Sequence, residues 1–359
     1  MSERVPLRPD LAALTGYHSP QVDVEVRLNA NESPLPPPEE WLVELRQELG
    51  RIDFNRYPDR AATELRRALA DFHGVDAAQV FCANGSNEVL QCLLLAYGGA
   101  GRTVAVFEPT YALHRHIASL TATAVASGWR GPDHRLDLEV VARVLEDAGP
   151  VVTFLCSPNN PTGRAEPPDV VADVLGRAPG LVVVDEAYGQ FAPWSALELV
   201  QSAAAHRDRL VVVRTFSKTW SMAACRLGYL VADPEVVAAC DAVVLPYHLD
   251  AMTQAAGRLA LRHVAAMEAR VALITEERGR MAVALGELPV ESWPSDANFL
   301  LFRPIRRAAT DVWRDLLGAS VLVRDCSTWP GLDECLRVTV GTPEENDRFL
   351  AALRASLAP

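Results

Sequence analysis

The chain has 359 residues, 49% of them hydrophobic, with a formal charge of -12 at pH 7 and a pI near 5.2. That length and apolar content suffice for one large domain and a smaller one, and speak against global disorder. The acidic balance speaks against a nucleic-acid partner or an anionic membrane surface, either of which imposes a general Coulombic penalty.

The opening MSERVPLRPD carries charges and prolines where a signal peptide needs an uninterrupted apolar stretch. No later run reaches a membrane-spanning length free of charges, so a cytoplasmic location is expected. Residues 1–28, proline-dotted and weakly periodic, are expected to form an arm packing on the smaller domain or on a partner subunit. Seven cysteines (Cys82, Cys92, Cys156, Cys225, Cys240, Cys326, Cys335) are odd in number and scattered without a CxxC pair. They are read as reduced core residues.

From about Val80 to Val244, β-rich runs (VFCA, TVAVFE, VVTFLC, LVVV, LVVV, LGYLVA) alternate with helix-period segments such as Val140 to Ala148 and Val170 to Ala178. This rhythm predicts an α/β domain over 29–249 with a mostly parallel sheet and helices on both faces. Ligands then sit at the carboxyl ends of the strands. After Leu245-Pro246 a long helical pattern from about Met252 to Leu288 leads to ANFLLFRP, VLVRD and CLRVTVG, then a helix from about Glu344 to Leu357. A smaller α+β domain over 250–359 is predicted.

Several strand ends carry polar clusters. Gly85, Ser86 and Asn87 lie between a strand and an amphipathic helix, where free backbone N–H groups and the helix dipole favour an anion. Alone, they read as ordinary capping. Thr215, Ser217 and Arg226 flank Lys218 in RTFSKTWSMAACRLGY and complete a phosphate site with charge-assisted bonds. Asp185 ends LVVVD, where a buried carboxylate needs a cation. A protonated pyridine nitrogen is such a cation. Lys218 is placed to form a Schiff base with an aldehyde, Asn160 and Tyr188 to hydrogen-bond the ring oxygen beside it, and Tyr111 to stack on the ring. Lysine amines are ordinarily protonated, so the site must disfavour that charge. Arg337, inside an apolar strand pattern, suits a bidentate grip on a substrate α-carboxylate. This constellation fits pyridoxal 5'-phosphate. His114 and His116 are two apart and would face different sides of a helix, which speaks against a metal site.

Together these motifs resemble fold-type I pyridoxal phosphate aminotransferases, and within them the histidinol-phosphate aminotransferase family. LNANESP, NRYPD, NGSNE, PTY, PNNPTG, DEAY, RTFSK, RLGY, PYH, ANF, VRD and LRVTVGTPEEN match the family's landmarks in order from about Leu28 to Asn346. The resemblance implies a seven-stranded, mostly parallel sheet in the large domain. It also implies amino transfer between L-histidinol phosphate and 2-oxoglutarate, with glutamate as the other amino acid. A homodimer is implied in which Tyr57 reaches the neighbouring cofactor phosphate, with Arg324 and Tyr17 on the substrate phosphate and Asn31 also at the substrate. The chain departs from the family at Ser221 and Ala224, where glycines are usual, at Cys225, and at Asn87, where Asp is usual. A Cβ at the glycine positions predicts a backbone kept at negative φ. Aromatic transamination and decarboxylation of a phosphorylated amino acid are rival readings on the same scaffold. A cofactor-binding transcriptional regulator would need a basic DNA-binding domain that the chain has no room for.

Overall fold

The computed structural model describes residues 5, 7, 8, 11, 22–202 and 206–358. Strands form where the β-branched runs lie. They are β1 (Val26–Leu28), β2 (Val80–Asn84), β3 (Thr103–Glu108), β4 (Ala124–Trp129), β5 (Val152–Cys156) and β6 (Leu181–Asp185), followed by β7 (Leu210–Thr215), β8 (Leu227–Val231), β9 (Val290–Ser292), β10 (Phe299–Pro304), β11 (Val321–Asp325) and β12 (Leu336–Thr339). Seven of them form one sheet in the order β2-β8-β7-β6-β5-β3-β4. Only β8 runs antiparallel to its neighbours within that sheet.

The central strands are buried at every residue, which is why they read as continuous apolar runs rather than alternating ones. Val182, Val184 and Val212 point into one core, and Val183, Val211 and Val213 into another on the opposite face. Each such side chain contributes roughly 1.5–3 kcal/mol by leaving water. The edge strand β4 was not expected: AVASGW is largely solvent-facing, so it lacks the apolar signal. It is held instead by parallel pairing with β3, from Thr103 opposite Ala124 to Glu108 opposite Trp129.

Crossover helices cover both faces. Asp137 caps the helix Leu138–Ala148 by accepting from the backbone of Glu139 and Val140, and Pro168 opens the helix Pro168–Arg177 where its missing N–H costs nothing. The long helix expected over 252–288 is two helices, Ala251–Ala260 and Val264–Gly286. They separate at 261–263, where Arg262 and His263 bond three residues back rather than four. The first packs Ala256, Leu259 and Ala260 on the core of the large sheet. The second begins there with Met267 and ends in another core with Ile274, Met281 and Leu285. The helix Val264–Gly286 thus packs on both cores.

The smaller part is built on a sheet in the order β1-β11-β12-β10-β9. The end of the expected arm supplies its edge: Val26–Leu28 pairs in parallel with Val321–Val323. All seven cysteines are free thiols, six of them buried and Cys225 partly so. Among the described residues no helix is long and apolar enough to cross a membrane.

Candidate active site

A cavity of about 430 Å³ opens at the carboxyl ends of β5, β6 and β7, between the large sheet and β12. It gathers Asn31, Ser86, Asn87, Tyr111, Asn160, Asp185, Tyr188, Thr215, Ser217, Lys218, Arg226 and Arg337 from segments far apart in the chain. Tyr57 and Arg324 are not in its lining, and Tyr17 lies outside the described residues.

At one end, Asp185 is 1% exposed. Its Oδ1 accepts from the Ala187 amide at 3.1 Å, and its Oδ2 lies 3.0 Å from His114 Nε2. The His114 ring is stacked on Phe154, centroids 4.6 Å apart, and meets Tyr111 edge-on at 5.4 Å. With Asp185 ionised, Nε2 carries the proton. His114 is a site residue that the sequence reading missed. Its spacing from His116 speaks against a metal pair and holds no sign of a carboxylate 71 residues away. The adjacent Glu186 does different work: it pairs with Arg214 at 2.6 Å, and accepts from Ser195 Oγ at 2.8 Å and the Ala196 amide at 2.6 Å. Strand alternation thus turns Asp185 to the cavity and Glu186 into a buried structural pair.

Lys218 follows β7 on a loop that folds back, its neighbour Phe216 donating through its amide to Leu227 O at 2.9 Å. Its Nζ donates to Ala30 O at 3.2 Å. Burial and then the positive charge of Arg337 push its pKa down to about 8, with Arg226 adding to the fall and Glu32 opposing it. This is the lowered amine that the motif requires. Tyr188 accepts from Asn31 Nδ2 at 2.9 Å and packs edge-on against Phe299 at 5.1 Å. Burial raises its phenol above the ordinary range, against the pull of Arg337. Asn31, at φ +53, is held by Thr339 Oγ1, which receives its amide at 3.0 Å and donates to its Oδ1 at 3.1 Å.

Arg337 is 5% exposed. It donates through Nη2 to Asn29 O at 2.9 Å and through Nη1 to Asn160 Oδ1, while its buried Nε has no partner. Asn160 is expected, with Tyr188, to hydrogen-bond the ring oxygen. Its Oδ1 accepts from Arg337 Nη1, which ties together two of the expected site residues.

The other end gathers the residues expected to hold an anion: Ser86, Asn87, Thr215, Ser217 and Arg226. Gly85 has φ +78, and a Cβ there would stand 2.6 Å from Arg226 Nη2. A Cβ at Gly228 would stand 2.2 Å from the Ser86 amide, so glycine lets the N-terminus of the helix Gly85–Tyr97 rest on β8. Arg226 Nη1 donates to Ala223 O at 3.1 Å and lies 3.5 Å from Ser217 Oγ. Thr215 Oγ1 donates to Ser217 Oγ at 3.0 Å. Asn87 accepts from the Tyr111 hydroxyl at 3.4 Å, a role its amide oxygen serves as well as the carboxylate usual there. The expectation of negative φ fails at Ser221, which sits at φ +58. Its Oγ donates to Ser33 Oγ at 2.8 Å, which offsets part of the cost of that conformation.

These residues fit a flat ring with a protonated nitrogen at Asp185, an aldehyde at Lys218 and a phosphate at the helix terminus. A fold of this kind with a lysine on that rim suits an enzyme that works through a Schiff base, and the sequence comparisons give its class. The sequence model of the family described as aminotransferase class I and II matches residues 23–353. The chain is 44% identical to the histidinol-phosphate aminotransferase of Frankia casuarinae, over 99% of this chain and 91% of that one. With the enzyme of that name from Thermobifida fusca the figures are 45%, 97% and 95%. It belongs with them to the histidinol-phosphate aminotransferase family. The solved histidinol-phosphate aminotransferase of Sinorhizobium meliloti, in complex with pyridoxal-5'-phosphate, has the same fold, with a TM-score of 0.89 at 23% identity over 98% and 97% of the two chains.

Proposed function

We propose that the chain transfers the amino group between L-histidinol phosphate and 2-oxoglutarate, using pyridoxal 5'-phosphate. The observation that carries this is the Lys218 amine, half-buried and lowered to about 8 in the cavity shared by Asp185, Tyr188 and Arg337. The backbone of Ser86 and Asn87, with Thr215, Ser217 and Arg226, would hold the cofactor phosphate, and Tyr111 would cover the ring. When bound, the cofactor supplies an electron-poor ring that accepts the electron pair left as the substrate Cα loses its proton.

The chain's own groups do the rest. Asp185, oriented by His114, keeps a proton on the ring nitrogen. Lys218 takes the proton from the substrate Cα and returns it two atoms away, a 1,3-shift open to the neutral form of an amine whose pKa lies near 8. Tyr188 and Asn160 hold the ring oxygen. Arg337 binds the carboxylate of glutamate, and Arg324 and Tyr17 the phosphate of histidinol phosphate.

Phe54, Tyr57 and Leu245 are 73%, 80% and 77% exposed, and Tyr57 stacks on Tyr247 at 4.4 Å. So much exposed apolar surface suits a homodimer in which Tyr57 reaches a second copy's site. The acidic charge suits a cytoplasmic enzyme. The test is a single-turnover titration with histidinol phosphate and with phenylalanine, followed by recovery with 2-oxoglutarate. A strong preference for histidinol phosphate is expected. Comparable rates would move the assignment to an aromatic aminotransferase.

A further inference from the structure

Arg270 lies near the start of the helix Val264–Gly286 and is 6% exposed. A buried guanidinium ordinarily meets a carboxylate. Among the described residues Arg270 meets main-chain oxygens instead: Nη1 donates to Thr219 O at 2.9 Å and Nη2 to Pro36 O at 3.0 Å, while Nε is buried without a partner. Burial pushes its pKa down, and no neighbouring charge opposes the fall.

The two oxygens belong to the two segments that face each other across the reacting amine. Thr219 directly follows Lys218. Pro36 ends the stretch whose earlier residues Asn29, Ala30, Asn31 and Glu32 form one wall of the cavity, and Lys218 Nζ donates to Ala30 O in that wall. Arg270 therefore bonds at once to the chain that carries the lysine and to the chain opposite it. A second link joins the same segments, Ser221 Oγ donating to Ser33 Oγ. Within the lysine loop itself the bonds are short-range turns, from the Ser221 amide to Lys218 O at 3.4 Å and from the Met222 amide to Phe216 O at 3.1 Å. Such turns shape the loop but do not fix where it sits against the rest of the cavity.

We propose that Arg270 is a positioning residue for amino transfer: its fork fixes the main chain beside Lys218 against the segment ending at Pro36, and so keeps the lysine amine at the rim while it moves the proton. A lysine amine ends a flexible four-carbon stem, whereas a guanidinium presents several N–H groups in fixed directions, which suits it to span two carbonyl oxygens on separate segments. A reacting group misplaced by about 1 Å can lose about a hundredfold in rate. The inference rests on Lys218 as the reacting amine and adds the residue that holds it in place.

The test compares wild type with Arg270→Met and Arg270→Lys. In holoenzyme, Arg270→Met is expected to lower kcat about tenfold or more and to leave KM for glutamate within about threefold, because Arg337 lies on a different strand. Uptake of pyridoxal 5'-phosphate by the cofactor-free protein, read from the visible absorption band, gives a measurement separate from turnover. Burial is the first cause of the lowered Lys218 pKa, and the charges acting on it are those of Arg337, Glu32 and Arg226. An amine that swings away from the rim regains water, so the pH midpoint of uptake in Arg270→Met should rise from about 8 towards the ordinary lysine value of about 10.4. A residue that only holds the fold together would lower the melting temperature and leave that midpoint in place. Arg270→Lys keeps the charge without the fork and is expected to show both changes at smaller size; it decides the matter if Arg270→Met does not fold. A wild-type kcat, an unmoved midpoint, or a rise in KM for glutamate as large as the fall in kcat would overturn the proposal. A wild type that forms no visible band with the cofactor would instead overturn Lys218 as the reacting amine.

Discussion

His114 Nε2 lies 3.0 Å from Asp185 Oδ2, both side chains almost fully buried. The histidine fixes which way the carboxylate faces, and the stack on Phe154 fixes the histidine. A charge-assisted bond of this kind contributes about 1.5–3 kcal/mol. His114→Phe keeps a flat ring for the stack and loses the bond. It is expected to lower kcat/KM roughly tenfold or more and to weaken retention of the cofactor, as measured by dialysis and absorbance. Unchanged kinetics would leave the histidine a packing residue only.

The lowered Lys218 amine predicts a pH dependence with a definite sign. Condensation with an aldehyde needs the neutral amine, so uptake of pyridoxal 5'-phosphate by the cofactor-free protein should accelerate with rising pH and level off above about 8. Glu32 opposes the fall in pKa, so Glu32→Gln should move the midpoint to lower pH. The rate of appearance of the visible absorption band reads this directly. A midpoint near the ordinary lysine value of about 10.4 would show that burial does not act as described.

Two buried histidines predict acid sensitivity. Burial first, then Arg214, pushes His73 down to about 3, and burial with Arg130 pushes His134 down to about 4. Their unfolded values lie near 6.5, so between these limits the unfolded chain binds more protons than the folded one. Stability is then fully present above about pH 6.5 and declines as pH falls towards 4 and 3, by up to about 1.4 kcal/mol per pH unit for each histidine. The urea midpoint should fall between pH 7 and pH 5. His73→Leu should flatten that slope by one proton, and a pH-independent midpoint in the wild type would contradict the account.

The residues whose chemistry is local were legible in the chain. Val182, Val183 and Val184 read as a parallel strand because both faces of such a strand are buried, and Asp185, Lys218 and Gly85 stood out because they interrupt runs of that kind. The surface strand Ala124–Trp129 was not legible, since its stability comes from pairing with β3 and leaves no apolar pattern. The break at 261–263 was hidden for a related reason: a helical period continues across it, and only the two cores decide where one helix yields to the next.

Residue types at strand ends, with their turn chemistry, determined which groups this protein brings to its site, because polar residues that close an apolar run must face the rim. Only the tertiary structure decided their partners. His114 on Asp185, Asn31 on Tyr188 and Asn160 on Arg337 are pairings between segments remote in sequence. Their distances depend on how two cores meet, and no local propensity encodes that.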